Sequence, residues 1–280
     1  MHEDEIMVRY GKSICIEPDM PDSEGSMKHF VFDLDETIGS FRELHGLWNP
    51  PSGGVQTLIA LLRLFPEFLR PGILPILQYL HQKKQQQCFG KFYIYTNNQC
   101  GRTWTESLIQ AIEVIAETPK LVDHIICAFK IDNVIVESRR TSHWKTWKDL
   151  VRCTMLPSKA MICFIDDTYF PKMNRDRVFY LQPRPYENTL SLSQIAHRLM
   201  TTSVVKVSPR LLETWASAAP RPNRSTEDDF ALSKRLFYFI REFFHMALRR
   251  PQTRKLRGRF WYNLTQKTRS KDHQKISPHY

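Results

Sequence analysis

Long apolar runs, paired cysteines and an apolar start are all missing from this sequence of 280 residues. No stretch reaches the roughly 18 uninterrupted apolar residues that a membrane-spanning helix needs, so we expect no membrane segment. The six cysteines show no Cys-x-x-Cys spacing, which argues against a zinc ribbon and against a disulfide scaffold. Residues 1–5 are mostly acidic and resemble neither a secretory signal nor an Arg-rich transit peptide. These absences predict a protein of a reduced intracellular compartment, either the nucleus or the cytoplasm.

Charge is distributed unevenly along the chain. The formal net charge is +11, and residues 201–280 alone hold 17 basic and 6 acidic residues, so the first 200 residues are balanced. With 42% hydrophobic and 25% charged residues, the composition is typical of a globular protein and excludes wholesale disorder. We therefore expect a neutral body with a basic C-terminal extension.

Short apolar runs that are rich in aromatic and β-branched residues indicate buried strands over residues 30–32, 92–95 and 161–165. Further strands are predicted over residues 124–129 and 177–181. A helical spacing of apolar residues predicts helices over residues 55–65, 71–87, 103–117 and 144–153. Strands that alternate with helices predict an α/β protein, a Rossmann-like three-layer sandwich around a central parallel sheet.

The predicted organisation has three parts, which are an N-terminal extension over residues 1–27, an α/β domain over 28–200 and a basic extension over 201–280. Residues 216–229 are typical of a linker because they combine two prolines, two serines and an asparagine with charged residues. An apolar stripe predicts a helix over residues 230–248, with Asp228 or Asp229 as its cap. We expect this helix to pack on the body rather than on a membrane or a partner.

Polar clusters follow the three central strands, at the point where each strand ends. The clusters contain, in chain order, Asp33, Asp35 and Thr37, then Thr96 and Asn97, and finally Asp166 and Asp167. Parallel strands carry their sites beyond their carboxyl ends, so we expect these side chains to meet. Neighbouring carboxylates repel each other, and Mg²⁺, which prefers oxygen ligands, removes that penalty. With hydroxyl and amide groups suited to phosphate oxygens, the clusters predict metal-assisted phosphoryl transfer.

A lysine would complete such a site by neutralising charge on the phosphoryl group. Lys148 lies 18 residues before Asp166 and is the first choice, with Lys145 and Lys130 as alternatives. Taken singly, each cluster could instead be a turn or a helix cap. The order of all of them along one chain favours a site.

These motifs resemble those of the haloacid dehalogenase superfamily of aspartate-nucleophile phosphatases, over roughly residues 28–185. Three segments are similar, more narrowly, to the NLI-interacting-factor group. They are Asp-Leu-Asp-Glu-Thr at 33–37, Leu-Arg-Pro-Gly at 69–72 and Lys-Asp-Leu at 148–150. That group includes the phosphatases of the RNA polymerase II C-terminal domain. Residues 32–41 and 95–98 are also similar to forms in large DNA viruses, iridoviruses among them, which would place the protein in an infected host cell.

The resemblance implies a role for each matching acid. Asp33 would attack the substrate phosphorus and form an aspartyl-phosphate, and Asp35 would protonate the leaving oxygen and later activate water. Mg²⁺ would be bound by Asp33, by the backbone carbonyl of Asp35 and by the last acidic pair, with Asp167 favoured over Asp166.

The other matching residues would support the phosphoryl group and its loop. Thr96 and Lys148 would neutralise charge on the phosphoryl group, Thr37 would brace the first loop, and Asn97 would help to line the pocket. The implied substrate is a phosphoserine or phosphothreonine protein of the polymerase-tail type.

Departures from the group pattern leave the substrate open. Asn97 follows Thr96 where polymerase-tail phosphatases usually have a small residue, and the helix-like segment 55–65 replaces their β-rich insert. Thr-Asn at a strand end also resembles polynucleotide 3′-phosphatases, so a nucleic-acid end is the alternative substrate. A binding module whose phosphatase fold is idle is the third hypothesis.

Only about 30 residues separate Thr37 from the helix at Pro71, so we expect no cap domain, which would need ~50 residues.

The basic extension is interpreted separately. Residues 249–280 hold 10 basic residues and one acid, with Phe260, Trp261 and Tyr262 among them. Such a mixture binds phosphate backbones and stacks on bases, which predicts a nucleic acid or an acidic partner. A localisation signal or a solubilising tail is the alternative.

Two segments before the predicted lysine are expected to be ordinary. Arg139 and Arg140 are predicted to lie in a solvated loop, with contact to a phosphorylated substrate as the alternative. Trp144 and Trp147 are predicted to pack on a helix face.

Overall fold

Ten strands lie in the described residues, which are 6–16, 28–48, 54–157, 159–202, 209–218 and 226–248 of the computed structural model. In chain order the strands are β1 Met7–Tyr10, β2 Ile14–Ile16, β3 Lys28–Phe32, β4 Phe92–Tyr95, β5 His124–Ile126, β6 Lys130–Ile131, β7 Val134–Ile135, β8 Met161–Ile165, β9 Val178–Gln182 and β10 Met246–Leu248. The three runs predicted as central strands are confirmed as β3, β4 and β8. The two further predicted strands are present as β5 and β9.

Eight α-helices lie in the same ranges. They are α1 Arg42–Leu47, α2 Gly54–Leu64, α3 Ile73–Gln85, α4 Arg102–Ala116, α5 Trp147–Thr154, α6 Leu192–Met200, α7 Pro209–Ala216 and α8 Thr226–Phe244. Single 3₁₀ turns at Pro66–Phe68 and Pro171–Met173 both begin with proline, whose fixed φ suits the first position of a helical turn. Across the described ranges, every helix falls short of the length and apolar content that a bilayer crossing requires.

A six-stranded sheet forms the centre, in the order β1-β9-β8-β3-β4-β5. The five strands from β9 to β5 are parallel, and β1 runs antiparallel to β9 at the edge. Phe32, at the end of β3, is in register with Ile94 of β4 and with Ile165 of β8. The chain therefore leaves these three strands at the same edge of the sheet, as ligand sites in parallel sheets require.

Alternate residues of the central strands pack on opposite faces of the sheet. Phe30 and Phe32 belong to one buried core, which includes residues of α1–α4, α6 and α8, while Val31 belongs to a second core with α5. Helices therefore cover both faces, which explains why β3, β4 and β8 are apolar at successive positions. The architecture is mixed α/β with a central, mostly parallel sheet, and it is compatible with a Rossmann-like fold.

Segments from both predicted extensions belong to this body. In residues 1–27, β1 pairs with β9 and β2 pairs with β10. Leu236, Ile240 and Phe243 of α8 are buried in the core that contains Phe30. This confirms the expectation that the apolar stripe of this helix packs on the body. Residues on both sides of the division predicted at residue 200 therefore contribute to the same core.

Two helix boundaries differ from their predicted positions. α8 begins at Thr226, inside the segment predicted as a linker, and ends at Phe244, because residues 246–248 pair with β2 as a strand. α5 begins at Trp147 rather than at residue 144, because the Thr146 side chain accepts a hydrogen bond from the Asp149 amide and caps the helix. The segment predicted to bind nucleic acid, residues 249–280, lies outside the described residues.

Candidate active site

The candidate active site lies where β3, β4 and β8 end. The Asp33 amide donates a hydrogen bond to a carbonyl of β8 at 2.8 Å, and the Asp166 amide donates to a carbonyl of β9 at 3.1 Å. The Thr96 amide donates to a carbonyl of β5 at 3.0 Å. Sheet hydrogen bonds thus continue one residue past each strand and fix the first residue of each polar cluster.

Three carboxylates form a buried cluster, in which Asp33, Asp166 and Asp167 each place one oxygen within 4.8 Å of the others. Burial raises the pKa of Asp167 to about 6, and repulsion from Asp33 adds to the shift. Burial also raises the pKa of Asp166, against the attraction of a nearby lysine. A divalent cation would offset the repulsion, and Mg²⁺ prefers oxygen donors of this kind, so the residues fit the predicted metal.

Lys145 is the lysine at this cluster. Its Nζ lies 2.5 Å from Asp33 Oδ1 and 2.7 Å from Asp166 Oδ2, and its side chain is buried. Burial acts to lower the pKa of Lys145, but the Asp166 and Asp33 carboxylates outweigh burial and the pKa is raised. A charged ammonium group therefore bridges two of the three carboxylates.

Lys148, the first choice for this position, is instead exposed on the first turn of α5. The next residue, Asp149, is fully buried and accepts hydrogen bonds from the Thr141 hydroxyl at 3.0 Å and the Thr141 amide at 3.3 Å. Burial of Asp149 and Leu150 turns their side of the helix inward and leaves Lys148 facing solvent. The structure thus corrects the choice of lysine to Lys145, one of the two alternatives.

Asp35 has a different environment, although it is only two residues from Asp33. It is half-buried, and its Oδ2 accepts a hydrogen bond from Asn98 Nδ2 at 2.8 Å. Burial and then repulsion from Asp33 raise the pKa of Asp35 to about 6, against smaller opposing effects of Asn98 and Lys145. A carboxyl group with this pKa can give and take a proton near neutral pH, as a general acid and base must.

The loop after β3 is held by its own turn and by two distant residues. Glu36 has a φ of 59°, and its amide donates to the Gly39 carbonyl at 2.7 Å. The Thr37 hydroxyl donates to Asp167 Oδ1 at 2.8 Å and accepts from the Asp167 amide at 3.1 Å. The buried Arg70 donates to the carbonyls of Glu36 and Thr37 at 2.5 and 2.7 Å. These bonds fix the course of the loop that carries the first two carboxylates.

The second cluster forms a tight turn after β4. Thr96 is buried, and its hydroxyl oxygen accepts a hydrogen bond from the Asn98 amide at 2.9 Å. The Asn98 side chain contacts Asp35, so Asn98 joins this turn to the loop after β3. The sequence pointed to Thr96 and Asn97, whereas Asn98 makes the described contact with the catalytic candidates.

Arg140 is a buried residue that the sequence placed in a solvated loop. Its guanidinium donates four hydrogen bonds, to the carbonyls of Thr96 (3.0 Å), Cys127 (2.8 Å) and His143 (3.1 Å) and to Asn97 Oδ1 (2.7 Å). Arg140 thus ties the ends of β4 and β5 to the loop before α5. Two adjacent arginines in a polar segment are typical of solvated loops, so the sequence carried no local signal for this role.

The structure brings most of the predicted site together. One network of contacts contains Asp33, Asp35, Thr37, Asp166 and Asp167. The turn that contains Thr96 and Asn97 adjoins this network. The network contains a buried acidic cluster that could bind a metal ion. It also contains the ammonium group of Lys145, which bridges two of the three carboxylates. Comparisons of the chain with models of protein families, with curated proteins and with solved structures found no match.

Proposed function

We propose that this protein is a Mg²⁺-dependent phosphatase that works through an aspartyl-phosphate on Asp33. One observation carries the proposal: of the two carboxylates at the end of β3, one is paired with a lysine and the other with a neutral amide. Asp33 is ion-paired with Lys145, whereas Asp35 lies beside Asn98 and has a pKa raised to about 6. Two acids whose environments differ in this way suit separate chemical roles.

The charged carboxylate of Asp33 is the nucleophile. One of its oxygens forms a bond to phosphorus while the bond from phosphorus to the leaving oxygen breaks, and Asp35 donates its proton to that oxygen. In the second half of the reaction Asp35 takes a proton from a water molecule, whose oxygen attacks the phosphorus. The bond from phosphorus to Asp33 then breaks, which releases inorganic phosphate and restores both acids.

Asp33, Asp167 and the Asp35 carbonyl are the groups that would hold Mg²⁺. Asp166 is a poorer ligand, because both of its oxygens accept hydrogen bonds, from Lys145 at 2.7 Å and from the Thr168 amide at 2.9 Å. Oδ2 of Asp167 has only a 3.3 Å contact with the Thr168 hydroxyl. When bound, the cation offsets negative charge on the cluster and on the phosphoryl oxygens.

Lys145 takes the role that the family resemblance gave to Lys148. Its ammonium group keeps Asp33 in position for attack and offsets charge on the phosphoryl oxygens as they approach. The Thr96 hydroxyl and the side chain of Asn97 belong to the neighbouring turn, where hydroxyl and amide groups suit the remaining phosphoryl oxygens. Thr37 braces the first loop against Asp167.

A phosphoserine or phosphothreonine protein is the proposed substrate. Between Thr37 and Lys145 the described residues are taken up by α1–α4, β4–β7 and their connections. This stretch contains no described insertion of the ~50 residues that a separate domain needs. A site without such a cover suits a phosphate on a macromolecule better than an engulfed metabolite. A nucleic-acid 3′-phosphate is the second candidate, favoured by the basic residues of 249–280.

The test is phosphate release by the full-length protein. An aryl phosphate, a phosphoserine peptide and a 3′-phosphorylated oligonucleotide are compared with and without Mg²⁺. Release should require Mg²⁺, should fall to background in Asp33→Asn, and should persist in Asp132→Asn, a matched change at an exposed acid. Absence of Asp33-dependent release from all three would reject the enzyme and leave an idle binding module. Preference for the oligonucleotide would reject the peptide substrate.

A further inference from the structure

An apolar cleft adjoins the candidate active site at the carboxyl edge of the sheet. Its volume is about 250 Å³, and it is lined by Trp144, Lys145, Phe170, Pro171 and Lys172. The first two of these residues precede α5, and the other three follow β8. The cleft is therefore built from the same two loops that supply the lysine and the last acidic pair.

Two aromatic rings form the main walls of this cleft. The Trp144 and Phe170 rings meet edge to face, with centroids 6.1 Å apart and an interplanar angle of 80°. Phe170 is buried, but 61% of Trp144 is exposed, so its indole was wrongly expected to pack on a helix face. Edge-to-face packing fixes the indole and leaves much of its surface open to a ligand.

Lys145 connects the cleft to the reacting groups. Its Nζ contacts Asp33 and Asp166 and also lies 5.3 Å from the centroid of the Phe170 ring. The two sites therefore share one side chain as a common wall. Consecutive Cα atoms of a peptide are about 3.8 Å apart, so a residue next to a phosphorylated one can reach from the first site into the second.

The chemistry of the lining indicates an apolar occupant. Its cations are Lys145, already paired with two carboxylates, and Lys172, which is exposed. The first 200 residues of the chain carry no net charge, and a polyanion such as a nucleic acid gains most of its affinity from a basic track. The part of a peptide next to its phosphorylated residue does not need a basic track.

We propose that this cleft is a specificity subsite for an apolar side chain next to the phosphorylated residue of a peptide substrate. The proposal rests on the proposed phosphatase function and names the feature by which that function would choose its substrate. Trp144 and Phe170 hold the side chain, and Lys145 separates it from the phosphoryl group. An apolar pocket of this kind discriminates between side chains by roughly 10-fold or more in kcat/KM.

The test compares phosphoserine peptides that differ at the neighbouring positions, with alanine, leucine, phenylalanine or glutamate there. Leucine or phenylalanine should raise kcat/KM about 10-fold over alanine, and glutamate should not. The ratio of kcat/KM for the leucine peptide to kcat/KM for the alanine peptide should fall close to one in Trp144→Ala. Trp144→Phe should retain most of this ratio. Tyr238→Ala, which removes another exposed aromatic residue on α8, should leave the ratio as in the wild type.

Binding of the same peptides to full-length Asp33→Asn, measured by calorimetry, separates the two proposals. Turnover with equal kcat/KM for all peptides, or a preference that survives Trp144→Ala, would overturn the subsite alone. Neither turnover nor binding of any peptide would overturn both proposals. Binding of a 3′-phosphorylated oligonucleotide that weakens in Trp144→Ala would assign the cleft to a base and overturn the peptide assignment.

Discussion

Thr37 and Asp167, which lie 130 residues apart, exchange two hydrogen bonds. The Thr37 hydroxyl donates to the Asp167 carboxylate at 2.8 Å, and the Asp167 amide donates back to the same hydroxyl at 3.1 Å. One buried side chain thereby locks the loop after β3 to the end of β8. The positions of two of the proposed metal ligands, Asp33 and Asp167, depend on this pair.

Replacing Thr37 by valine should therefore destabilise the protein. The change keeps the shape of the side chain but leaves the buried Asp167 carboxylate and amide without this partner, which costs about 1–3 kcal/mol. Chemical denaturation should show this loss in the free energy of unfolding. Thr37→Ser, which keeps the hydroxyl, should lose clearly less. Little loss in Thr37→Val together with a larger loss in Thr37→Ser would show that the methyl group, and not the hydrogen bonds, matters.

The two lysines should respond differently to the same substitution. Lys145→Met leaves the Asp33 and Asp166 carboxylates buried without their cation, which should cost about 3–5 kcal/mol in the absence of metal. Thermal unfolding should show a larger stabilisation by added Mg²⁺ in this variant than in the wild type, because the metal then replaces the missing charge. Phosphate release should fall by roughly 10²–10³-fold.

Lys148→Met is the matched control, since Lys148 is exposed on α5. The free energy of unfolding of this variant should lie within about 0.5 kcal/mol of the wild-type value, and its activity should be unchanged. If Lys148→Met lost activity while Lys145→Met kept it, the assignment from the sequence would be restored and the one from the structure would fail.

Arg140 should act as a positioning residue for the turn after β4. Arg140→Lys cannot reproduce four hydrogen bonds from one planar group, so the Thr96–Asn97 turn should be held less firmly. We expect a raised KM for phosphopeptides at full Mg²⁺, partly reversed by added guanidinium in Arg140→Ala. Arg139→Lys, at the exposed neighbouring position, is the control. A uniform loss of stability with no change in KM would reduce Arg140 to a purely structural role.

His29 should make stability depend on pH. This buried residue of β3 accepts a hydrogen bond at Nδ1 from the Lys91 amide at 3.0 Å. Burial lowers the pKa of His29 to about 4, with Asp123 opposing the shift. Between pH 4 and 6.5 the unfolded chain therefore binds a proton at His29 that the folded protein does not, so the His29 contribution to stability rises with pH. The raised pKa values of Asp35 and Asp167 act in the opposite direction between about pH 4 and 6.

The contribution of His29 is complete above pH 6.5 and amounts to about 3 kcal/mol. His29→Asn, which keeps an acceptor but does not titrate, should gain free energy of unfolding relative to the wild type as the pH falls from 7 to 4 in denaturation experiments. His124→Gln, at an exposed position on β5, should not. An unchanged slope in His29→Asn would show that other groups control this range.

The central strands and the polar residues at their carboxyl ends could be predicted from the sequence. A strand buried on both faces has to be apolar at successive positions, and its end is visible where polar residues begin, as at Asp33 and Asp166. The lysine could not be chosen in this way. Thr146 and Asp149 carry the spacing of a helix cap, which indicates a helix start at Trp147, but the path of the preceding loop decides which lysine reaches the carboxylates.

Features that depend on distant partners were not predictable. Arg140 is buried because carbonyls from two strand ends converge on it, and nothing near it in sequence shows this. Strand β1 was not predicted for the same reason, because its four residues are only partly apolar and its partner strand β9 is encoded elsewhere in the chain. The packing of α8 on the body, in contrast, could be expected from its apolar stripe.

The packing of α8 on β3 has a consequence for biosynthesis. Phe30 meets Phe243 edge to face at 5.2 Å, so residues made early are covered by residues made more than 200 positions later. Phe89, made earlier, also meets Phe30 at 4.9 Å, so until α8 is made this side of β3 is covered only in part, and the nascent protein is exposed to aggregation. The core around Phe30 is therefore complete only after α8 has left the exit tunnel. A version that stops at residue 225 should be recovered mainly as insoluble protein.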